Sequence, residues 1–281
     1  MNIDETVEKI KNLEIQGAQN IAIEGLTVLK EIASEKGFGK DFEEAAKKLE
    51  GARPTGVSIH NCIKYVREEK SIEAIDKTLR YLDEAKKKVS EYASQLVEDG
   101  DIIMTHCHSS TVISTLKEAK KQGKDFKVIV TETEPKLQGL KTAKDLVKMD
   151  IPVYYVVDSS AALFMWITDS VFVGVDSVKF PGVLNKIGTY QISIAAKEDP
   201  ETKFYFVATK DKFDYDNFST IETRSPKEIR NYKELKDPDI ILENPAFDMT
   251  PWSHITELVT ENGIMKKHEI MDVLGDRFEV E

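Results

Sequence analysis

The chain has 281 residues, with 50 acidic and 39 basic side chains and a formal net charge of -11 at pH 7. Its length is sufficient for one large domain or two modest ones, and its net negative charge argues against direct binding of nucleic acid, which requires a concentrated basic face. The two cysteines, Cys62 and Cys107, cannot form a disulfide framework, and a reducing, cytoplasmic compartment is expected.

The N-terminal part of the chain is predicted to be helical from Ile3 to about Leu96. Its first residues, MNIDETVEKI, are acidic where a signal peptide has a basic region, and no apolar stretch reaches the roughly 18 residues of a membrane span. Apolar residues recur at three- and four-residue spacing, as in Ile72, Ile75 and Leu79. We therefore expect neither export nor membrane insertion, and a helical domain over residues 1–97.

Short β-rich runs begin after Gly100 and alternate with helical stretches. The runs are Asp101–His106, Phe126–Thr131, Val153–Val157, Val171–Val175 and Phe204–Ala208. This alternation predicts an α/β fold with a doubly wound, mostly parallel, Rossmann-like sheet over residues 98–281. Because such sheets bind ligands at the carboxyl ends of their strands, polar residues just after each run are the first candidates for a site.

The first run ends in Cys107 and three hydroxyl residues, Ser109, Ser110 and Thr111, before a helical stretch. Hydroxyl groups and free N–H groups at a strand-to-helix turn suit a phosphate. A helix dipole or a neighbouring cation would lower the pKa of Cys107 and favour a thiolate that can act as a base. The alternative is that Cys107 is an inert buried thiol and the two serines cap the helix.

The sequence His106-Cys107-His108 also raises the question of a metal site. Adjacent strand residues point to opposite faces, and the chain has no second cluster of cysteine and histidine. We expect no metal and no cofactor.

The fourth run is followed by Asp176, and a segment containing Asn185 and Lys186 comes soon after. A carboxyl group beside an apolar strand end can have a raised pKa and serve as a general acid, although turn or cap residues occupy such positions as well. The amide of Asn185 and the ammonium of Lys186 could hold a hydroxyl group and a phosphate. The least regular stretch, from Asp211 to Asp239, is expected to form loops over this pocket.

Five motifs occur in an order that resembles a known family. They are residues 52–57 (ARPTGV), 105–110 (THCHSS), 173–176 (VGVD), 185–189 (NKIGT) and 244–251 (NPAFDMTP). The family unites the alpha, beta and delta subunits of initiation factor 2B with the sugar-phosphate aldose–ketose isomerases, and archaeal ribose-1,5-bisphosphate isomerase and archaeal initiation factor 2B-like proteins look most similar.

The resemblance implies functional roles for several residues. Cys107 and Asp176 match the catalytic pair of the isomerases. The positions that match substrate-binding residues are Gly17, Arg53, Ser109, Ser110, Thr111, Asn185, Lys186 and Lys212. The implied function is isomerisation of a phosphorylated pentose, and the alternative is a non-catalytic regulatory protein of translation initiation that binds a nucleotide or sugar phosphate, with initiation factor 2 subunits as partners. Relatives also imply a homo-oligomer, either a dimer or a hexamer.

Two positions depart from the isomerase pattern. The isomerases carry arginine where this chain has Gln16, and again where it has Glu134 before Pro135. Arginine binds phosphate through a permanently charged, two-pronged donor group, which neither Gln nor Glu provides. We therefore expect Glu134 to place an anion in the phosphate site and to weaken the binding of a bisphosphate.

Overall fold

Five helices form the N-terminal part of the computed structural model, which describes residues 2–12 and 14–280. They are α1 (Ile3–Lys11), α2 (Ala18–Lys36), α3 (Lys40–Ala52), α4 (Val57–Glu69) and α5 (Ile72–Ser94). Their apolar faces meet in one core, in which Leu26, Leu29, Leu49 and Ile63 are fully buried, and this burial stabilises the amphipathic segments as helices. The predicted helical region is therefore confirmed. None of the described helices is both long and apolar enough to cross a membrane.

Ten strands and five further helices follow in the described part of the chain. The strands are β1 (Ile102–Thr105), β2 (Lys127–Thr131), β3 (Val153–Val156), β4 (Ser170–Val173), β5 (Ser177–Lys179), β6 (Gly182–Lys186), β7 (Lys203–Val207), β8 (Phe247–Pro251), β9 (Glu257–Thr260) and β10 (Gly263–Met265). The helices are α6 (Ser110–Lys121), α7 (Gln138–Val147), α8 (Ala161–Phe164), α9 (Thr189–Lys197) and α10 (Lys267–Leu274). The five predicted β-rich runs correspond to β1, β2, β3, β4 and β7.

The main sheet has seven strands within the described residues, in the order β10-β9-β7-β4-β1-β2-β3. All neighbouring strands are parallel except β10, which runs antiparallel to β9. The chain moves outward from β1 through β2 to β3 and then returns to add β4 on the other side of β1. The order of strands thus reverses between β1 and β4, which is where doubly wound sheets bind ligands. The predicted α/β fold with a mostly parallel sheet is confirmed.

A second sheet, not predicted from the sequence, joins β5, β6 and β8 in antiparallel order. Its strands are short and carry polar residues and a proline, so they show no clear β pattern. A Cβ atom on Gly182 would lie 2.1 Å from the carbonyl oxygen of Thr250, so only glycine permits this close approach of β6 and β8. This sheet sets the position of Asn185 and Lys186 at the end of β6.

The helical region and the main sheet share α5. One part of this helix contributes Ile75 and Leu82 to the helical core, while Val89 and Ala93 pack with residues of the sheet. Phe278, which lies near the C-terminus, also packs into the helical core. The proposed division into residues 1–97 and 98–281 stays a prediction.

Candidate functional site

A cavity opens at the carboxyl ends of β1 and β4, between the sheet and the helical region. Nine of the ten residues singled out from the sequence line it, namely Gly17, Arg53, Cys107, Ser109, Ser110, Asp176, Asn185, Lys186 and Lys212. The tenth, Thr111, is buried in the first turn of α6 and is not among the lining residues. Residues from distant parts of the chain therefore meet at the predicted edge of the sheet.

Cys107 lies in a sharply turned segment between β1 and α6. Its φ angle of 69° is in the left-handed region that non-glycine residues rarely adopt. Two threonines hold this conformation, because the Cys107 N–H donates to Thr133 Oγ1 at 2.9 Å and Thr142 Oγ1 donates to the Cys107 carbonyl at 2.8 Å. The Asp158 carboxylate in turn accepts hydrogen bonds from the N–H groups of Thr133 and Glu134, at 2.8 and 2.7 Å. Both peptide groups that flank Cys107 are therefore fixed by hydrogen bonds.

Burial raises the pKa of the Cys107 thiol to about 11, although Lys186, an N–H group of His108 and Arg53 act in the opposite direction. The expectation of a lowered pKa is thus wrong, because desolvation of a thiolate outweighs the nearby positive charge. Ser109 is the N-cap of α6 and accepts a hydrogen bond from the Val112 N–H at 3.3 Å. The helix-capping role, which the sequence left open as an alternative, is therefore present for Ser109, and this residue also lines the cavity.

Asp176 lies between β4 and β5, and its carboxyl group lines the same cavity as Cys107. Burial raises its pKa above the ordinary value, while Arg53, Lys212 and Lys186 oppose this shift. The direction is the one expected for a general acid. The cavity thus contains a neutral thiol and a carboxyl group with an increased affinity for its proton.

The lining of the cavity is rich in positive charge. Among the described residues, its cationic side chains are Arg53, Lys136, Lys186, Lys212 and Arg224, and its carboxyl groups are Asp176 and Glu228. Burial lowers the pKa of His108 to about 4, so this imidazole is neutral near pH 7. The excess of cations in a partly enclosed cavity suits a small ligand with several negative charges.

His106 contributes a buried, neutral imidazole to the lining of this cavity. Burial lowers its pKa, its Nε2–H donates to the Ile187 carbonyl at 2.8 Å, and its Nδ1 accepts from Thr131 Oγ1 at 2.6 Å. Next to it, Gly188 has a φ of 101°, and a Cβ atom there would lie 3.2 Å from the imidazole. Within residues 2–12 and 14–280, no three or more Cys, His, Asp or Glu side chains are arranged to hold a metal.

Asn185 and Lys186 are held at the end of β6 by the start of α9. Asn185 Nδ2 donates to Thr189 Oγ1 at 3.0 Å, and this hydroxyl donates to the Lys186 carbonyl at 2.6 Å. Asp248, on β8, accepts hydrogen bonds from the N–H groups of Gly188 and Tyr190 at 2.7 and 3.1 Å. These contacts satisfy two of the N–H groups at the start of α9 and fix the end of β6 against this helix.

Of the two positions that lack arginine, Gln16 lines the cavity but Glu134 does not. The Glu134 carboxylate pairs with the Arg230 guanidinium at 2.8 Å, and the expectation that it occupies the phosphate site is wrong. Lys136, two residues further along, lines the cavity instead. A turn after β2 directs these side chains, and sequence spacing alone does not predict their directions.

Sequence reasoning also missed Arg224 and Glu228, which line the cavity from the irregular stretch expected to cover it. The Thr223–Pro245 bridge joins this stretch to the segment before β8. Neither residue belongs to one of the five motifs or to an α-helix or strand, so the sequence contains no local signal for them. Their position confirms that loops from this stretch reach the pocket.

The cavity is rich in cations, lies at the switch point of a parallel sheet and has a thiol and a carboxyl group in its lining, an arrangement that suits a small anion. Residues 14–267 match the Initiation factor 2 subunit family, and the chain belongs to this family. It is 40% identical to ribose 1,5-bisphosphate isomerase of Thermococcus kodakarensis over 98% of this chain and 94% of that protein. It is 33% identical to a putative translation initiation factor eIF-2B subunit 2-like protein of Pyrococcus furiosus over 92% and 94%. A solved structure of translation initiation factor eIF-2B from Pyrococcus horikoshii OT3 superposes with a TM-score of 0.82, at 29% identity over 94% and 96% of the two chains.

Proposed function

We propose that this protein is an aldose–ketose isomerase that acts on a phosphorylated pentose, as its relative ribose 1,5-bisphosphate isomerase does by name. The observation that carries the proposal is the presence of Cys107 and Asp176 in one cavity lined by five cations of the described chain. The extended similarity to several archaeal isomerases, at 36–40% identity, supports the same reaction class.

In this proposal, Cys107 and Asp176 are the catalytic residues. Isomerisation moves the oxidation level of C1 to C2, so that a hydrogen leaves C2, a hydrogen arrives at C1 and protons are exchanged at the oxygens. The Cys107 thiolate removes the hydrogen from C2 as a proton and returns it to C1. The Asp176 carboxyl group donates a proton to one substrate oxygen and accepts a proton from the other. With a pKa of about 11, a value that already includes the favourable charge of Lys186, forming the thiolate at pH 7 costs about 5 kcal/mol.

The substrate-binding roles follow from the positions of the polar groups. Arg53, Lys186 and Lys212 provide positive charge around the catalytic pair. The hydroxyl groups of Ser109 and Ser110, at the start of α6, provide donors for phosphoryl oxygens. Thr111, Asn185 and Gly17 are also predicted to bind the substrate. In this role, Asn185 binds a hydroxyl group.

The test is incubation of the purified protein with ribose 1,5-bisphosphate, methylthioribose 1-phosphate and other pentose phosphates, followed by detection of the ketose. Cys107→Ser and Asp176→Asn are each expected to lower kcat at least about 100-fold, because each removes a group that transfers a proton. Their thermal unfolding is expected to stay close to that of the unaltered protein. Retained activity in either variant would refute its catalytic role, and exposed Asp239→Asn serves as the control.

The alternative function is a non-catalytic, initiation factor 2B-like regulatory protein that binds a nucleotide or a sugar phosphate. The high pKa of Cys107 and the similarity to the protein from Pyrococcus furiosus favour it. This alternative predicts tight binding of a phosphorylated ligand without turnover of any sugar in the panel. It also predicts stable association with initiation factor 2 subunits in a pull-down experiment.

We also propose that the protein is a cytoplasmic homo-oligomer, with a dimer or a hexamer as the assembled form and without direct binding to nucleic acid. Several large apolar side chains on α8, α9 and nearby turns are exposed: Leu163 (68%), Trp166 (75%), Phe180 (50%) and Ile194 (44%). Because α8 contacts α9, Leu163 and Ile194 belong to neighbouring elements. Exposed apolar groups on adjoining elements are typical of surfaces that bind another protein chain.

A further inference from the structure

Glu228 places a carboxylate between two of the cations that line the cavity. Its Oε1 accepts a hydrogen bond from Arg224 Nη2 at 2.8 Å and lies 3.7 Å from Lys136 Nζ. Its Oε2 accepts from Arg224 Nε at 3.3 Å. The side chain is only 14% exposed, so this carboxylate is an integral part of the lining.

These contacts resemble those that the cavity would offer to a phosphoryl group. A phosphoryl group binds through the parallel N–H donors of a guanidinium group and the charge of an ammonium group, which are the groups that Glu228 occupies. Burial acts to raise the pKa of Glu228, but the Arg224 hydrogen bonds and the charges of Arg224, Lys136 and Lys186 lower it overall. The carboxylate is therefore ionised near neutral pH and competes with any other anion at this position.

The fold holds Glu228 in this place. It ends a 3-10 turn, Pro226–Glu228, in a segment that is attached to the protein at both sides. The Arg224 N–H donates to the Asn244 carbonyl at 2.8 Å, and Arg230 pairs with Glu134 across the β2–α7 turn at 2.8 Å. The Arg230–Glu134 ion pair thus anchors the segment that carries Glu228 to the turn after β2.

A second carboxylate near Arg224, that of Glu222, also disfavours the binding of a second phosphoryl group. Arg224 Nη1 donates to Glu222 Oε1 at 2.9 Å, so one guanidinium group serves two carboxylates. The four side chains Lys136, Glu222, Arg224 and Glu228 together carry no net charge. At the other side of the cavity, the charges of Arg53, Lys212 and Lys186 act on Asp176, and Asp211 also acts on Lys212, so three cations face two carboxyl groups. The two ends of the cavity therefore differ in charge.

We propose that Glu228 is a specificity-determining residue of this site: its carboxylate occupies the anion position between Lys136 and Arg224, and disfavours ligands that place a second phosphoryl group there. The inference rests on the proposed function, because it assigns the phosphorylated sugar to this cavity. A pentose with one phosphoryl group binds without displacing Glu228, whereas a pentose bisphosphate must compete with it.

The experiment compares ribose 5-phosphate with ribose 1,5-bisphosphate by titration calorimetry, in the unaltered protein and in Glu228→Gln. The amide keeps an oxygen acceptor for Arg224 but removes the negative charge. We expect the affinity for the bisphosphate to rise about tenfold or more relative to that for the monophosphate, because one negative charge close to a polyanion is removed. Equal changes for both ligands, or no binding of either ligand by either protein, would overturn the role of Glu228.

Two controls separate this result from other effects. Exposed Glu234→Gln removes one negative charge from the same segment outside the cavity, and the ratio of the two affinities should stay unchanged. Thermal unfolding of each variant verifies the fold. Ketose formation by the unaltered protein is measured separately, so that a failure of the isomerase proposal is distinguished from a failure of the specificity proposal.

Discussion

Thr133 Oγ1 accepts a hydrogen bond of 2.9 Å from the backbone N–H of Cys107. The same hydroxyl donates to the Thr131 carbonyl at 3.3 Å, so its orientation is defined. Since Cys107 has a left-handed backbone conformation, loss of this acceptor should allow its side chain to move away from the reacting carbon. We expect Thr133→Val to lower kcat by about 10- to 100-fold with little change in KM, because small displacements of a catalytic group are costly.

Steady-state kinetics with the substrate identified in the panel provides the measurement. Thr133→Ser retains the hydroxyl group and should recover most of the lost kcat, whereas a purely structural role would leave both variants equally impaired. If Thr133→Val shows the kcat of the unaltered protein, Thr133 is not a positioning residue.

The pKa of Cys107 predicts how its reaction with iodoacetamide depends on pH. Because the thiolate is the reactive form and the pKa is raised to about 11, the rate should increase about tenfold per pH unit from pH 7 to pH 10. Lys186→Met removes the charge that opposes this shift most, so the pKa should rise further and the rate at a given pH should fall. A rate that levels off near pH 8.5 would contradict this account.

Mass spectrometry after timed quenching gives the rate of this reaction at each pH. Cys62 is fully buried, so Cys107→Ser should show almost no labelling. That variant provides the background for the measurement.

His60 links α4 to the segment after β7 in a pH-dependent manner. Its Nε2 lies 3.1 Å from Asp216 Oδ2, its Nδ1 lies 3.6 Å from Glu50 Oε1, and Lys64 and Arg67 pair with the same two carboxylates. The neighbouring carboxylates of Glu50 and Asp216 raise the pKa of His60 despite burial. The imidazolium therefore stabilises the fold fully below the unfolded pKa of about 6.5, and this contribution is lost as the pH rises through the higher folded pKa.

We expect His60→Gln to reduce the free energy of unfolding by about 1 kcal/mol more at pH 5.5 than at pH 9. Urea unfolding at the two pH values measures the difference. The same loss at both pH values for His60→Gln would show that packing, and not charge, explains its contribution.

Trp166 is 75% exposed and is the best single probe of the proposed homo-oligomer. We expect light scattering of the unaltered protein to give at least a dimer mass, and Trp166→Glu to shift the mass towards a monomer, because an unpaired carboxylate opposes burial in an apolar interface. Tyr92→Glu changes another exposed aromatic residue, on α5, and should leave the mass unchanged. A monomer mass at all concentrations of the unaltered protein would contradict the oligomer proposal.

Most of the fold was accessible from the sequence because local patterns carry the information. Spacings such as Ile72, Ile75 and Leu79 predict helices, and the apolar runs predict five neighbouring parallel strands, β7, β4, β1, β2 and β3. The second sheet was missed because a strand such as Phe247–Pro251 contains Asp248 and Pro251, and pairing rather than propensity makes it extended.

Only some features of the candidate site were predicted from the sequence. Cys107 and Asp176 follow strands that lie side by side at the switch point, and the topology of parallel sheets brings such residues together. The sign of the pKa shift of Cys107 was not predictable, because burial depends on residues that are distant in sequence. For the same reason, Arg224 and Glu228 had no signal in the sequence.

The sequence by itself determined the helical region, the parallel sheet and the residues that follow its strands, because periodicity and order along the chain specify these features locally. Only the tertiary structure decided which of these residues share a cavity and which charges face each other. Glu134 shows the difference: its sequence position suggested an anion in the phosphate site, yet its carboxylate pairs with Arg230, and Glu228 from a distant loop lines the cavity instead. Electrostatic interactions depend on distance in space and on burial, and the folded chain alone establishes both.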